Sequence, residues 1–124
     1  MVQLDYRDSR PIYEQIKQGL RRLVVSQAIL PDEKLPSVRE LAARLAINPN
    51  TIQRAYRELE SEGYLYSIPG KGIFATGEPA VNGQRQEELL SQFDEIVTEL
   101  LFFSIHPSDL TDRIHTLAEG GVLV

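Results

Sequence analysis

Apolar residues recur at helical spacing in five stretches of this chain, with polar residues filling the positions between them. The first stretch predicts a helix over residues 11–27. Pro11 suits its first helical position, because the N–H that proline lacks would have no partner there. Residues 28–35 follow as a connector that Pro31 interrupts. The apolar side of the helix consists of Ile12, Ile16, Leu20, Leu23 and Val24.

The next two stretches predict a pair of short helices separated by a tight turn. The second helix begins at Ser37, which forms a capping box with Glu40, and it ends near Ala46. The third helix runs from Asn48, a favoured N-cap, to a stop at Gly63. Its core-facing stripe follows the helical repeat and consists of Ile52, Ala55, Tyr56 and Leu59.

The pattern then changes to two short β-prone runs, residues 64–68 and 73–76, on either side of a Pro/Gly turn. Such runs predict a hairpin. A linker is predicted over residues 79–85, followed by a fourth helix from Gln86 to about Ser104 that Pro107 ends. The capping chemistry of Ser108 opens a fifth helix through Ala118.

The predicted fold is therefore mainly α with a small β-hairpin. Residues 1–78 form a winged helix-turn-helix domain, because two short helices and a hairpin follow the first helix in that order. Residues 79–85 form the linker, and residues 86–124 form a short C-terminal segment of two helices.

Composition narrows the class of protein. The chain of 124 residues has no cysteine, which excludes disulfides and thiolate metal sites. It shows no signal peptide, and its apolar runs are too short to span a bilayer, so we expect a cytoplasmic protein without a membrane partner. The net charge of -5 divides into +1 for residues 1–78 and -6 for residues 79–124. Arginines of the first part can therefore line one face, which is what nucleic-acid binding requires.

A polar stripe on the third helix carries the candidate chemistry. The second helix of such a pair fits the major groove of B-DNA, and its first turn points at base edges. Asn50 and Gln53 can pair with adenine, and Arg54 with guanine, each contributing roughly 1–3 kcal/mol of discrimination. Helix starts and a cationic hairpin tip suit phosphates. The predicted DNA contacts are Ser37, Arg39, Asn48, Asn50, Thr51, Gln53, Arg54, Arg57, Gly70, Lys71 and Gly72.

Two other functions are weighed against DNA binding. Winged helices also serve as protein adaptors, although a stripe rich in Asn, Gln and Arg argues against that role. Asp109, Asp112 and His115 share a helix face, so weak surface metal binding is conceivable, while a solvated helix is the favoured interpretation. We find no catalytic constellation and expect neither an enzyme nor a bound metal or cofactor.

The fourth helix has apolar residues on more than one side, which two helices cannot cover by folding on each other. Exposed apolar patches mark interfaces, so we expect a homodimer built from residues 86–118. The alternative is that both helices pack back on the winged domain. The predicted interface residues are Leu89, Leu90, Phe93, Ile96, Val97, Leu100, Leu101, Phe103, Leu110, Ile114 and Leu117.

The chain resembles the GntR family of bacterial transcription regulators over residues 10–76. The stretches that carry the resemblance are PIYEQI at 11–16, KLPSVRELA at 34–42, NTIQRAYRELE at 50–60, GYL at 63–65 and GKGIF at 70–74. The resemblance implies a winged helix, with Arg39, Thr51 and the wing glycines among the contacts to double-stranded DNA.

The short C-terminal segment resembles the YtrA-like subfamily, whose members are compact dimers. From the order of the motifs and the expected homodimer, we predict a repressor that binds a two-fold symmetric operator, with the recognition helix in the major groove and the wing at the minor groove or along the backbone. A small-molecule effector is compatible with this plan, but no residue indicates one.

Overall fold

The structure, a computed structural model, describes residues 2–77 and 83–120. They separate into two compact units at the break between these ranges. The first unit contains α1 (Ile12–Val25), α2 (Val38–Leu45), α3 (Pro49–Ser61), β1 (Leu65–Ile68) and β2 (Gly72–Ala75), and the second contains α4 (Gly83–Phe102) and α5 (Pro107–Ala118). The predicted mainly helical fold, a winged helix-turn-helix followed by C-terminal helices, is confirmed.

Helix α1 is slightly shorter at both ends than the predicted helix. Pro11 is its N-cap and Ile12 its first residue, so placing Pro11 inside the helix was wrong by one position. The Pro11 carbonyl accepts the N–H of Gln15 at 3.2 Å, which is the first bond of the helix. The helix ends at Val25, because Gln27 adopts a left-handed φ of 62° that no helical residue can have.

Side-chain caps fix the starts of both α2 and α3. Ser37 Oγ accepts the N–H of Glu40 at 3.1 Å, and Asn48 Oδ1 accepts the N–H of Asn50 at 2.9 Å. The reverse bond of the capping box, from the Ser37 N–H to the Glu40 carboxylate, is not present among the described residues, so that prediction was half right. Ala46 ends α2 with a φ of 56°.

Helix α3 lies at the centre of the first unit, where it packs against α1, α2 and β1. Its predicted stripe is confirmed: Ile52, Ala55, Tyr56 and Leu59 are 0–2% exposed. Burial of this apolar surface is the main stabilising term of the unit. The other core residues are Val2, Ile16, Leu20, Ile29, Leu35, Leu41, Ala42, Leu65 and Ala75.

The wing is an antiparallel hairpin in which Leu65 pairs with Ala75 and Ile68 pairs with Gly72. The connector that precedes α2, predicted to be irregular, extends this sheet. Lys34 forms a β-bridge with Phe74, and the Leu35 N–H donates to the Ile73 carbonyl at 2.8 Å. The start of α2 is therefore attached to the wing through backbone hydrogen bonds.

Gln15 fixes the start of α1 from inside the protein. It is 5% exposed, and its amide oxygen accepts the N–H of Asp5 at 2.9 Å. Its amide nitrogen donates to the carbonyls of Asp5 at 3.0 Å and Arg10 at 3.1 Å. Because all three bonds lie on the approach to α1, they hold the chain that leads into the helix.

The second unit differs from its predicted boundaries. Helix α4 begins at Gly83, so residues 83–85 of the predicted linker are helical, while residues 79–82 lie outside the described part of the chain, as does the 122–124 tail. It ends at Phe102, and Ser104 has a left-handed φ of 65°. Helix α5 begins at Pro107 with His106 as N-cap, so Pro107 opens α5 and the predicted Ser108 cap was wrong. None of the described helices is long and apolar enough to cross a membrane.

Tyr56 joins α3 to the segment before α2, and its loss should weaken the first unit. Its hydroxyl donates to the Pro36 carbonyl at 2.7 Å. We expect Tyr56→Phe to lower the free energy of unfolding by about 1–2 kcal/mol, because the Pro36 carbonyl loses its partner. Urea denaturation of the full chain at pH 7 measures this change. The control is Tyr6→Phe, at a side chain that is 73% exposed, and equal midpoints for Tyr56→Phe and the wild type would contradict the expectation.

Alkaline pH should also destabilise the first unit, because it ionises the buried Tyr56 hydroxyl. Burial raises the pKa of Tyr56 from 10.0 to about 12, the charge of Glu40 adds to the increase and that of Arg44 opposes it. Because the folded pKa lies above the unfolded value, the stabilisation is complete below pH 10 and is lost as the pH rises towards 12, by roughly 2 kcal/mol in total. The difference in stability between wild type and Tyr56→Phe should shrink across this window. A constant difference from pH 9 to pH 12 counts against it.

Candidate nucleic-acid interface

The exposed face of α3 carries three of the predicted base-reading and phosphate-binding residues side by side. Asn50, Gln53 and Arg57 are exposed and recur at helical spacing. Arg57 forms no ion pair with any other residue of the described ranges. The first turn of α3 contains no acidic residue, so nothing on this turn repels a phosphate or a base carbonyl.

Arg54 does not share that environment. Its guanidinium carbon lies 3.7 Å from the centroid of the Tyr13 ring, which places the two groups in a cation–π contact between α3 and α1. Its Nε donates to Glu58 Oε2 at 3.1 Å. The sequence predicted Arg54 as part of the polar stripe, but the structure turns its side chain towards α1.

A network of ion pairs holds α3 against α1. Lys17 Nζ lies 3.1 Å from Glu58 Oε1 and also pairs with Glu62, and Arg21 Nη2 lies 2.8 Å from Glu62 Oε1. Burial works against the charge of Lys17, but its bonds to Glu62 and Glu58 outweigh burial and raise its pKa. Burial works against the charge of Glu58 too, yet Lys17 and Arg54 lower its pKa. Both groups are therefore held in their charged forms.

The wing and the start of α2 enclose an open groove that brings four predicted contacts together, namely Ser37, Gly70, Lys71 and Gly72. Lys34 lies on the same groove and was missed by the sequence analysis. A Cβ on Gly72 would come within 2.8 Å of Lys34 Cε, so the lysine side chain crosses the wing directly beside this glycine. Neither lysine forms an ion pair within the described residues. Two lysines therefore line one groove, together with Glu40.

The remaining predicted contacts lie at the two helix starts. Arg39 is exposed in the first turn of α2, and Thr51 is partly buried in the first turn of α3. Asn48 uses its side chain to cap α3. These residues and the groove lie at the starts of α2 and α3 and on the wing.

The predicted interface residues on α4 and α5 form an apolar surface in which no residue is buried. Val97, Leu100 and Leu110 are partly buried, and Phe103 is 66% exposed. The other exposed members are Leu89, Leu90, Phe93, Ile96, Leu101, Ile114 and Leu117. No group of three His, Asp or Glu side chains in the described ranges is arranged to hold a metal ion, the α5 residues Asp109, Asp112 and His115 included.

Comparisons with known sequences agree on one family. Residues 12–75 match the family described as bacterial regulatory proteins, gntR family. The HTH-type transcriptional repressor YtrA of Bacillus subtilis (strain 168) is 49% identical over 74 residues, which are 60% of this chain and 57% of that protein. The uncharacterized HTH-type transcriptional regulator YhcF of the same strain is 33% identical over 117 residues, which cover 94% of this chain and 97% of that protein.

Comparison with solved structures extends the likeness to the fold. A transcriptional antiterminator from Listeria monocytogenes EGD-e gives a TM-score of 0.75 at 28% identity, over 100% of this chain and 97% of that one. The DNA-binding domain of AraR in complex with operator ORE1 gives 0.52 at 33% identity, over 61% of this chain and 93% of that one. The chain therefore belongs to the GntR family, in its YtrA-like subfamily, and is a DNA-binding transcriptional regulator and not an enzyme.

Proposed function

We propose that this protein represses transcription by binding a two-fold symmetric operator as a homodimer, in the cytoplasm, where bacterial DNA lies. Helix α3 enters the major groove and the wing lies at the minor groove. The observation that carries this proposal is the first turn of α3, which is free of acidic residues and is followed by the exposed side chains of Gln53 and Arg57. The relative YtrA is named a repressor, and the AraR domain was solved with an operator.

The proposed contacts divide into base readers and phosphate binders. Asn50 and Gln53 occupy the first turns of α3, where their amides can pair with adenine edges. Ser37, Thr51 and Lys71 lie at helix starts or on the wing, which are positions that hold a phosphate without reading sequence. The remaining proposed contacts are Arg39, Asn48, Arg54, Arg57, Gly70 and Gly72.

The apolar surface of α4 and α5 supports the proposed dimer. Phe93 and Ile96 are 46% and 58% exposed, and water contact with such a surface is unfavourable. A second copy offers the same surface in return, which closes the assembly with two-fold symmetry. Two copies of α3 would then meet half-sites separated by roughly 34 Å, one turn of DNA, or a multiple of it.

Base readers and phosphate binders should respond differently to substitution. We expect Gln53→Ala to lower affinity for the operator by about tenfold and to leave affinity for a shuffled duplex unchanged, since one base contact is lost. Lys71→Ala should weaken both complexes equally and reduce the salt slope by about 0.9. Fluorescence anisotropy with labelled DNA from the region upstream of its own gene measures both. Wild-type binding that is equal for operator and shuffled DNA would falsify sequence-specific recognition.

A charge placed on the apolar surface should separate the dimer. We expect Phe93→Asp to sediment as a monomer at micromolar concentration, because a carboxylate in the interface would lose its water without gaining a partner. The matched control is Gln92→Asp, which places the same side chain on the neighbouring exposed position of α4. Analytical ultracentrifugation separates the two results. A wild-type protein that sediments as a monomer at this concentration rules out the dimer.

A further inference from the structure

Arg54 is the exposed end of a charge network that joins α3 to α1. The network runs through ion pairs from Arg54 to Glu58, Lys17, Glu62 and Arg21, in that order. Along this path among the described residues, each of the two carboxylates is shared between two cations.

Arg54 is the member of this path that is most open to water. Its side chain is 60% exposed, against 33% for Glu58 and 16% for Lys17. Glu58 accepts from Lys17 as well as from Arg54, so its single negative charge is shared between two cations. Arg54 therefore attracts anions more strongly than an arginine with its own carboxylate would.

Tyr13 and Glu58 hold the Arg54 guanidinium from two sides. The ring centroid lies 3.7 Å from the guanidinium carbon, and Glu58 holds the Nε at 3.1 Å. No other described residue bonds to the two Nη groups, so these remain as donors. A long side chain held in this way loses less entropy when it binds a ligand, which raises affinity.

The position of Arg54 is at the side of the DNA-reading face. On α3 it lies about 100° around the helix axis from Gln53. It lines an open groove between the start of α1 and the first turn of α3, together with Pro11, Tyr13 and Thr51. When the middle of an α-helix face meets base edges, its flank meets the sugar–phosphate backbone beside the groove.

We propose that Arg54 binds a DNA phosphate instead of the guanine first predicted for it, and that Tyr13 is the positioning residue that holds it there. The proposal rests on the proposed function, in which α3 enters the major groove. A guanidinium that contacts the ring and is bonded to Glu58 through Nε keeps its two Nη groups as donors, which suit a pair of phosphate oxygens.

A double-mutant cycle on the full chain tests this assignment. Two fluorescein-labelled duplexes serve as probes. One is the site that the wild type protects in a footprint of the region upstream of its own gene, and the other is a shuffled duplex of the same length. Arg54→Ala should weaken binding to both by about tenfold and reduce the salt slope by about 0.9. Tyr13→Leu should weaken both by about three- to tenfold, and Tyr13→Phe, which keeps the ring, should stay within about twofold of wild type.

The cycle separates positioning from a merely structural role. In the Arg54→Ala background, Tyr13→Leu should cause no further loss, because its target is gone. Additive losses overturn the role of Tyr13, and a preference that changes at a single base pair in Arg54→Ala overturns the phosphate assignment. Circular dichroism checks folding, and Tyr13→Met replaces Tyr13→Leu in the cycle if the latter unfolds.

Failure of the proposed function gives a different result. A wild type that binds both duplexes equally refutes sequence-specific recognition, while the coupling between Tyr13 and Arg54 is still read from the shuffled duplex. A wild type that binds neither duplex overturns both proposals.

Discussion

The direction in which α3 presents its polar face depends on the close packing of its opposite face against α1. Ala55, in the middle of the buried stripe of α3, is fully buried. Ile52 and Leu59 are also fully buried, one turn or so on either side. Rotation of α3 about its axis would expose this stripe to water, so the core itself holds the exposed residues at their angles.

The wing and α2 are fixed to this helix by polar contacts. The Tyr56 hydroxyl reaches from α3 to the Pro36 carbonyl, one residue before the cap of α2. The same connector pairs with β2 at Lys34, and Ser67 on β1 donates to Glu60 at the end of α3 at 3.0 Å. The start of α2 and the wing are thus both linked to α3, directly or through the connector, by hydrogen bonds. Their spacing is a property of the folded unit before any ligand arrives.

The features predicted from the sequence are those that local chemistry decides. The α3 stripe at Ile52 and Leu59, the Asn48 cap and the hairpin each depend on residues close together in the chain. Two of the misses at the site depend on distant partners. The pairing of Lys34 with Phe74 joins residues 40 positions apart without any alternating pattern, and Tyr13 lies on a different helix from Arg54. Sequence periodicity places a residue on a face, but it does not show which side chain lies across from it.

The distribution of charge along α3 has a consequence for how DNA approaches. Its first turn lacks acidic residues, whereas Glu58 and Glu60 lie in its last turn and Glu62 is its C-cap. Glu58 and Glu62 are paired with cations, so the polarity of α3 rests on its dipole, whose positive end at the first turn meets no carboxylate of that turn. The helix therefore presents the positive end of its dipole at its first turn. The phosphates of an approaching duplex are attracted to the start of α3. This attraction orients the duplex before any base is read.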